Sequence, residues 1–466
     1  MRKDRTLAKR TAEAPHSFCA NPLLTDLYQL NMMQAYLDRG MMGTAVFEFF
    51  MRKLPPDRRF LIAAGLEQAL EFLEGLRFSA SGIEWLASTG RFRANLLDYL
   101  AAFRFTGDVH AMPEGTAFFA DEPVLRVAAP LPEAQLVETC LINLLHFQTL
   151  IASKAARHVL LAAGKLLADF GLRRAHGGEA GLFAARASYI AGYGGTATVL
   201  AGELYGIPLY GTMAHSFIES FDDEAAAFEA FARSRPNDLT ILIDTYDTEA
   251  AAKKVVALAK RLERDGISIG SVRIDSGDLI ALSNAVRRIL DEGGCERIGI
   301  FASGGLDEPE LAAFRDSGAP INGFGIGTSL TTSIDRPALD CAYKLQEYDG
   351  LPRRKHSSGK ATWPGRKQVW RQFGQDGRMA GDVVSVESDK VQGEALLVPV
   401  MKGGRRTGPA EALPEIRARA ARSLALLPEP LRRLDPGAAY PVTIAEPLIR
   451  LAAEADRRLA KFGGAA

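Results

Sequence analysis

No sign of charge predominates in this chain: 56 lysines and arginines are matched by 56 aspartates and glutamates across 466 residues. With a formal net charge of zero there is no global field to recruit nucleic acid or an acidic membrane, so any anionic substrate must be held by local charges. Cysteine is scarce as well. Cys19, Cys140, Cys295 and Cys341 lie far apart without CxxC or histidine-rich spacing, which argues against a disulfide framework or a cysteine zinc site and points to a reducing, cytoplasmic home. No uninterrupted apolar stretch reaches membrane-spanning length; the best candidate, residues 139–156, carries Asn143, His146, Gln148 and Lys154 and reads as a buried helix. Residues 1–15 are basic (Arg2, Lys3, Arg5, Lys9, Arg10) but lack the apolar run of a secretory signal, and Asp4 and Glu13 run against a transit peptide, so 1–20 reads as a loose leader. Two nucleotide-binding signatures are missing too, GxGxxG after an opening strand and GxxxxGK[ST] anywhere.

What is present is enough apolar sequence, 47% of the residues, to bury a core in more than one domain. The first third, 21–138, mixes helical patterns at 24–37 and 61–76 with an extended run, Ala45-Val-Phe-Glu-Phe-Phe50, an α+β region. An alanine- and leucine-rich segment at 136–164 predicts one long helix. After it the pattern changes to short strands alternating with helices: Leu239-Thr-Ile-Leu-Ile-Asp244 before a helix at 250–264, Ser271-Val-Arg-Ile-Asp275 before 279–291, Arg297-Ile-Gly-Ile-Phe301 before 308–317, then Asn322-Gly-Phe-Gly-Ile326. This rhythm fits parallel strands with crossover helices. Without a nucleotide-binding glycine fingerprint, and with polar residues at many successive strand ends, it favours an irregular (β/α) barrel over an open sheet. Segments 165–174, 187–191 and 207–211 are candidates for further strands, giving a barrel from about Lys165 to Lys344 in a predicted domain at 139–348. The remainder, 349–466, begins with the basic stretch 352–367, either a solvated loop or a phosphate-contacting lid, and continues into strands at 368–373 and 394–401 and helices at 411–427 and 444–462.

The strand ends carry a polar set: Arg173 and Arg174, His215, Asp244, Arg273 with Asp275, and Ser303-Gly304-Gly305. In a barrel these converge on one mouth, where arginines bind carboxylate and phosphate and carboxylates hold magnesium or ribose hydroxyls. Gly304, Gly305, Gly325 and Gly327, with Thr328 and Ser329, fall on the last two strand ends of the run. Glycines often only make turns, but two clusters on consecutive late strands point to backbone N–H groups and helix starts that bind phosphate. Asp278 reads as a helix cap and Asp275 as a site residue. Spacing alone leaves His215 undecided between packing and chemistry.

At these residues the chain resembles the nicotinate phosphoribosyltransferase family. The resemblance runs from Thr25 to about Lys367, through Thr25-Asp-Leu-Tyr-Gln29, Phe47-Glu-Phe-Phe50, Asp169-Phe-Gly-Leu-Arg-Arg174, Gly211-Thr-Met-Ala-His-Ser216, Asp244-Thr-Tyr246, Arg273-Ile-Asp-Ser-Gly-Asp278 and Gly325-Ile-Gly-Thr328. It implies a type II phosphoribosyltransferase: an α/β chain with an irregular barrel and a second α+β domain built mainly from the N-terminal region and C-terminal segments, working as a homodimer. The implied reaction is ATP-dependent synthesis of nicotinate mononucleotide and pyrophosphate from nicotinate and phosphoribosyl pyrophosphate, the first step of NAD salvage from nicotinic acid. By this resemblance Tyr28, Thr212 and Arg273 contact nicotinate, Thr328 the phosphoribosyl group, and the Gly304–Gly305 loop the 5′-phosphate, while His215 is phosphorylated by ATP. Arg173, Arg174, Asp275, Ser303 and Gly327 join the substrate-binding set. Magnesium would be held mainly by substrate phosphates, with Asp275 as the one candidate protein contact.

Two features depart from the family pattern: the two glycines in Ala302-Ser-Gly-Gly-Leu-Asp-Glu308, where some members carry bulkier polar residues, and the absence of a cysteine-rich C-terminal zinc site. A sister enzyme acting on nicotinamide or quinolinate is the nearest rival, and substrate charge separates them: a neutral amide needs no cation, whereas two carboxylates need a denser cluster than one arginine. A barrel that binds a phosphorylated metabolite without catalysis is the rival from another class; it would have no reason to take phosphate from ATP on His215.

Overall fold

The computed structural model describes residues 21–463 apart from 238, 356, 358, 359 and 435; the basic leader at 1–20 lies outside the described residues. At its centre is a parallel sheet of six strands, in the order Gly195–Thr196, Leu166–Asp169, Gly323–Ile326, Gly299–Ser303, Ile269–Ile274 and Leu239–Leu242. Crossover helices cover the outer face of these strands, against which their buried apolar residues pack, while polar side chains such as Arg273 stand on the other face towards the strand ends. In helix Thr248–Leu262 the buried positions Ala251, Ala252, Val255, Leu258, Ala259 and Leu262 repeat every three or four residues, an apolar stripe laid against the sheet. Carboxylates start these helices. Asp247 accepts from the Ala250 N–H, Asp278 accepts from the Ala281 N–H as expected of a cap, and Asp307 with Glu310 forms a capping box on helix Glu308–Ser317.

The sheet is a curled half-barrel with extra sheets around it. Among the described residues its ladder ends at Leu239–Leu242 on one side and at a single bridge between Thr196 and Leu209 on the other. Two expected strands are corrected. Residues 187–191 lie in helix Gly178–Ala191, since an alanine-rich run without breakers keeps helical bonding until Gly192, and 207–211 contributes only the bridge at Leu209. The strand that takes the place of 187–191, Gly195–Thr196, is two residues long and has no apolar pattern to announce it.

A seven-stranded sheet, antiparallel at every pairing, lies beside the half-barrel, in the order Leu351–Pro352, Asp340–Tyr348, Thr44–Lys53, Pro123–Pro130, Asp108–Ala111, Val398–Lys402 and Arg405–Arg406. The expected helix at 61–76 starts at Leu66: Gly65, at φ 97°, breaks the chain, and Leu61–Ile62 pairs instead with Ala117–Phe118. A four-stranded sheet of Glu394–Ala395, Lys367–Phe373, Met379–Val386 and Val442–Ile444 packs against helix Glu446–Gly463. Helix Glu138–Ala162 joins these parts. Its apolar side chains belong to both large cores, and Gln148, Thr149, Ser153, Lys154 and His158 are buried along it. No helix among the described residues is long and apolar enough to cross a membrane.

Candidate active site

Parallel pairing sets Phe301 opposite Arg273, so Arg273, Asp275 and Ser303, separated by steps of two, project to one face at the carboxyl ends of adjacent strands. The Arg273 guanidinium donates from Nε to Ser303 Oγ at 2.7 Å, from Nη2 to Asp275 Oδ1 at 2.7 Å and from Nη1 to Thr212 Oγ1 at 3.0 Å. Ser303 Oγ also donates to Asp275 Oδ1. A planar fork held at three corners cannot swing, which is the condition for orienting a bidentate anion. Burial opposes ionisation of Asp275, but the Ser303 hydrogen bond and the Arg273 charge outweigh it and hold the carboxyl below its usual range.

Asp244, at the end of the next strand, accepts from the Asp275 N–H at 3.0 Å and from Ser276 Oγ at 2.6 Å. Its Oδ1 is buried with no hydrogen-bond partner among the described residues. His215 opens the short helix His215–Glu219, with Nδ1 3.2 Å from Thr245 Oγ1 and Nε2 3.9 Å from Asp275 Oδ2. The contacts Arg273–Thr212 and His215–Thr245 therefore span the gap where the backbone ladder is open. Side chains close the mouth that the main chain leaves ajar.

Phe170 lies outside the polar strand-end set, yet its ring is 5.5 Å from the Arg273 guanidinium carbon and 5.9 Å from the Phe301 ring. Its signal is an aromatic one residue past a strand end with a glycine across from it: a Cβ on Gly325 would come within 2.5 Å of the ring. Buried Asp169 holds the turn by accepting from the Gly171 N–H at 2.8 Å and Thr196 Oγ1 at 2.7 Å.

The glycine clusters divide. Gly304 (φ 89°) lies so close to Asp275 that a Cβ would sit 1.9 Å from its carbonyl oxygen, whereas Gly305 (φ 66°) is exposed with open space around it. Gly327 and Thr328 begin the next turn, at the start of the one-turn helix Thr328–Thr331. Gly325 makes room for Phe170, and Ser329 Oγ donates to the Leu306 carbonyl, so both are committed within the protein. At the helix start after Gly305, the capping box occupies the backbone N–H groups of Asp307 and Glu310. Arg173 and Arg174 are exposed on the single turn Leu172–Arg174, directly after Phe170 and Gly171.

Tyr28 is not brought into this group within the chain. It lies half exposed on helix Leu27–Asp38 beside Glu138 and Thr139. Lys154, on the same long helix as Glu138, contacts Asp307 just beyond Gly304–Gly305. Sixteen residues of helix between Glu138 and Lys154 put Tyr28 about 24 Å from that end of the sheet.

Comparison with known proteins covers all three parts of the chain. Residues 23–146 match the nicotinate phosphoribosyltransferase (NAPRTase) N-terminal domain, 166–349 the nicotinate phosphoribosyltransferase (NAPRTase) family, and 386–452 the nicotinate phosphoribosyltransferase C-terminal domain. The chain belongs to the nicotinate phosphoribosyltransferase family. Among its relatives, nicotinate phosphoribosyltransferase pncB2 of Mycobacterium tuberculosis (strain ATCC 25618 / H37Rv) is 49% identical over 429 residues, 92% of each chain. Nicotinate phosphoribosyltransferase of Bacillus subtilis is 39% identical over 384 residues, covering 80% of this chain and 78% of its own. The crystal structure of human nicotinic acid phosphoribosyltransferase superposes with a TM-score of 0.82 at 30% identity, covering 93% of this chain and 99% of the human one. In nicotinate phosphoribosyltransferase terms, the whole strand-end cluster from Asp169 to Thr328 falls within the central family match, while Tyr28 falls within the N-terminal domain.

Proposed function

We propose that this chain joins nicotinate to phosphoribosyl pyrophosphate, forming nicotinate mononucleotide and pyrophosphate, with ATP phosphorylating His215. The observation that carries the reading is the Arg273 guanidinium, fixed by Ser303, Asp275 and Thr212 at a mouth that also holds His215.

The nicotinate ring nitrogen is a weak nucleophile. It attacks C1′ of the ribose as the C1′–O bond to pyrophosphate breaks and its electron pair leaves with pyrophosphate, so the transition state is cationic at the sugar. Orientation and charge complementarity then supply most of the rate. Arg273 orients the substrate carboxylate beside the Phe170 ring, Thr212 adds a polar contact, and the anionic Asp275 favours positive charge on the ribose. The backbone at Gly304–Gly305 and Gly327–Thr328 takes the 5′-phosphate, with Thr328 on the phosphoribosyl group and Arg173 and Arg174 adding positive charge at the rim. Asp275 and Asp244, whose buried Oδ1 lacks a partner among the described residues, are the donors that fit a magnesium ion carried on the pyrophosphate; when bound, that ion would offset leaving-group charge. With Nδ1 held against Thr245, His215 has Nε2 left to accept the phosphoryl group from ATP as ADP departs.

Tyr28 completes the nicotinate pocket from a second copy of the chain, a homodimer, because the long helix sets it about 24 Å from Lys154, which lies behind its own glycine turns. Leu24 and Leu27 beside it and Val199, Leu209 and Tyr246 on the half-barrel expose apolar surface that such a contact would cover.

Purified protein incubated with phosphoribosyl pyrophosphate, magnesium and ATP, in parallel with nicotinate, nicotinamide or quinolinate, tests the reading by product formation. Nicotinate mononucleotide from nicotinate alone upholds it. Reaction with another pyridine alone would overturn the assignment of Arg273 to the carboxylate, and no reaction with any of the three would overturn the activity.

A further inference from the structure

Behind the two glycine turns lies a second charged cluster that the proposed chemistry leaves unused. Lys154 has a fully buried side chain on helix Glu138–Ala162, with Nζ 2.6 Å from Asp307 Oδ1, 2.9 Å from Asp335 Oδ1 and paired with Glu308. Asp307 and Glu308 follow directly on Gly304-Gly305-Leu306, and Asp335 follows the one-turn helix that begins at Thr328. One ammonium thus gathers both loops. Ser329 Oγ adds a direct link by donating to the Leu306 carbonyl.

Other groups complete the charge balance. Arg58, also buried, donates to Ser333 Oγ at 2.7 Å and to Asp335 Oδ1 at 2.8 Å, and Arg157 Nε donates to Glu308 Oε1 at 2.9 Å. His158 lies with Nε2 2.9 Å from Asp307 Oδ1 and Nδ1 2.7 Å from the Tyr193 hydroxyl. Three carboxylates meet three cations. His158, Asp307 and Glu308 are close enough together to hold a metal ion, but the Lys154 ammonium already stands against two of those carboxylates. Burying so many charges costs desolvation that their attraction only roughly repays, so stability is a poor reason for the network; a fixed geometry is a better one.

We propose that Lys154 is a positioning residue for phosphoribosyl recognition, holding the Gly304–Gly305 and Gly327–Thr328 turns at the separation that lets backbone N–H groups of both meet one phosphate. The inference rests on the reading that these turns take the 5′-phosphate. The strands that carry them, Gly299–Ser303 and Gly323–Ile326, are direct neighbours, about 4.8 Å apart, so donors from both can reach one phosphate provided neither loop drifts. The contacts of Arg273 run to Ser303, Asp275 and Thr212, none of them on the second turn, so a shift of the Gly327–Thr328 turn alone should affect pyridine binding much less than phosphoribosyl binding.

The test uses K154M, D335N and the K154M/D335N double variant, with KM values for phosphoribosyl pyrophosphate and nicotinate, calorimetric binding of phosphoribosyl pyrophosphate, and thermal unfolding. D335N leaves Lys154 paired with Asp307 and Glu308 but removes the charge through which Lys154 and Arg58 hold the second loop, weakening that tie; it should raise the phosphoribosyl pyrophosphate KM about 5-fold with the nicotinate KM within about 2-fold. K154M should raise it by about 20-fold and also lower the Tm, because three carboxylates lose their shared cation. The double variant should recover much of the Tm without recovering the KM. An unchanged KM for phosphoribosyl pyrophosphate in D335N and the double variant would overturn the proposal, as would both KM values rising together in step with lost Tm. If K154M does not fold, D335N alone decides. A wild-type chain that binds phosphoribosyl pyrophosphate but does not transfer it to nicotinate overturns the functional reading; weaker binding by D335N would then still uphold the positioning role, and equal binding would end it.

Discussion

His215 Nε2 and Asp275 Oδ2 lie 3.9 Å apart across the open side of the half-barrel, while His215 Nδ1 is engaged by Thr245. A phosphoryl group on Nε2 would stand beside the carboxylate that Arg273 and Ser303 hold in its ionised form, so the proposed phosphorylation and substrate binding would share one set of charges. For His215→Ala the expected outcome is loss of ATP stimulation, a fall of about 100-fold in the ATP-driven rate, with slow ATP-independent synthesis remaining. Rates with and without ATP, alongside retention of label from γ-labelled ATP, check it. Label retained by the alanine variant would remove His215 from this role.

Arg273 makes three side-chain contacts at once, and a lysine cannot reproduce the fork. Losing one charge-assisted contact to the substrate carboxylate costs about 2–3 kcal/mol, a rise of roughly 30- to 150-fold in the nicotinate KM of Arg273→Lys. Nicotinamide, which has no carboxylate, should lose much less, so the ratio of the two kcat/KM values is the quantity to measure. An unchanged ratio would show that Arg273 serves packing rather than recognition.

How much of this was legible beforehand follows from the range of each interaction. Helix Glu308–Ser317 was legible to the residue because its start is local chemistry, acidic residues and a proline. The strands at 239–244, 271–275 and 297–301 were legible within a few residues because each sets buried apolar residues between polar or glycine ones at its ends, followed by a helical pattern. Strand Gly195–Thr196 was not, since two residues carry no period, and neither was the contact of Phe170 with Arg273, which depends on two non-adjacent strands of the sheet meeting. Lys154 showed in the sequence only as a polar interruption of an apolar helix. Its three carboxylates lie more than a hundred residues further along, beyond the reach of any local pattern. Tyr28 marks a different limit: its place in the N-terminal helix was readable, its distance from the mouth was not.

Gly304 and Gly305 share a left-handed backbone but differ in their surroundings, which turns them into a matched pair of probes. Gly304→Ala must push apart the Asp275 carbonyl and the turn, adding overpacking of about 1–3 kcal/mol to a backbone cost of similar size. Gly305→Ala meets open space and should cost only the backbone strain, about 1–2 kcal/mol. Urea unfolding reads the difference. The Gly304 variant should in addition lose activity through displacement of Asp275, and equal stability of the two variants would contradict the close approach at Gly304.

Glu122 offers a test of the structure by pH. Its side chain is fully buried, Oε2 accepts from the Phe119 N–H at 2.9 Å, and it faces Asp382, whose carboxylate is held by Arg371 and by the Tyr440 hydroxyl. Burial first, and then the neighbouring Asp382 charge, push the Glu122 carboxyl well above its ordinary range. A raised carboxyl means the folded protein holds this proton more tightly than the unfolded chain does. The stability it contributes is therefore complete below the ordinary carboxylate range and is lost as pH rises through the raised value. Glu122→Gln fixes the neutral form, and its amide can donate to Asp382. The wild-type Tm should fall relative to the Gln variant as pH is raised from the acid side, with the gap widening towards alkaline pH. Because the groups away from this contact are common to both proteins, the difference between the two Tm curves reports the Glu122–Asp382 pair. Parallel curves would mean that the carboxyl titrates alike in folded and unfolded chains, and would overturn the raised value at Glu122.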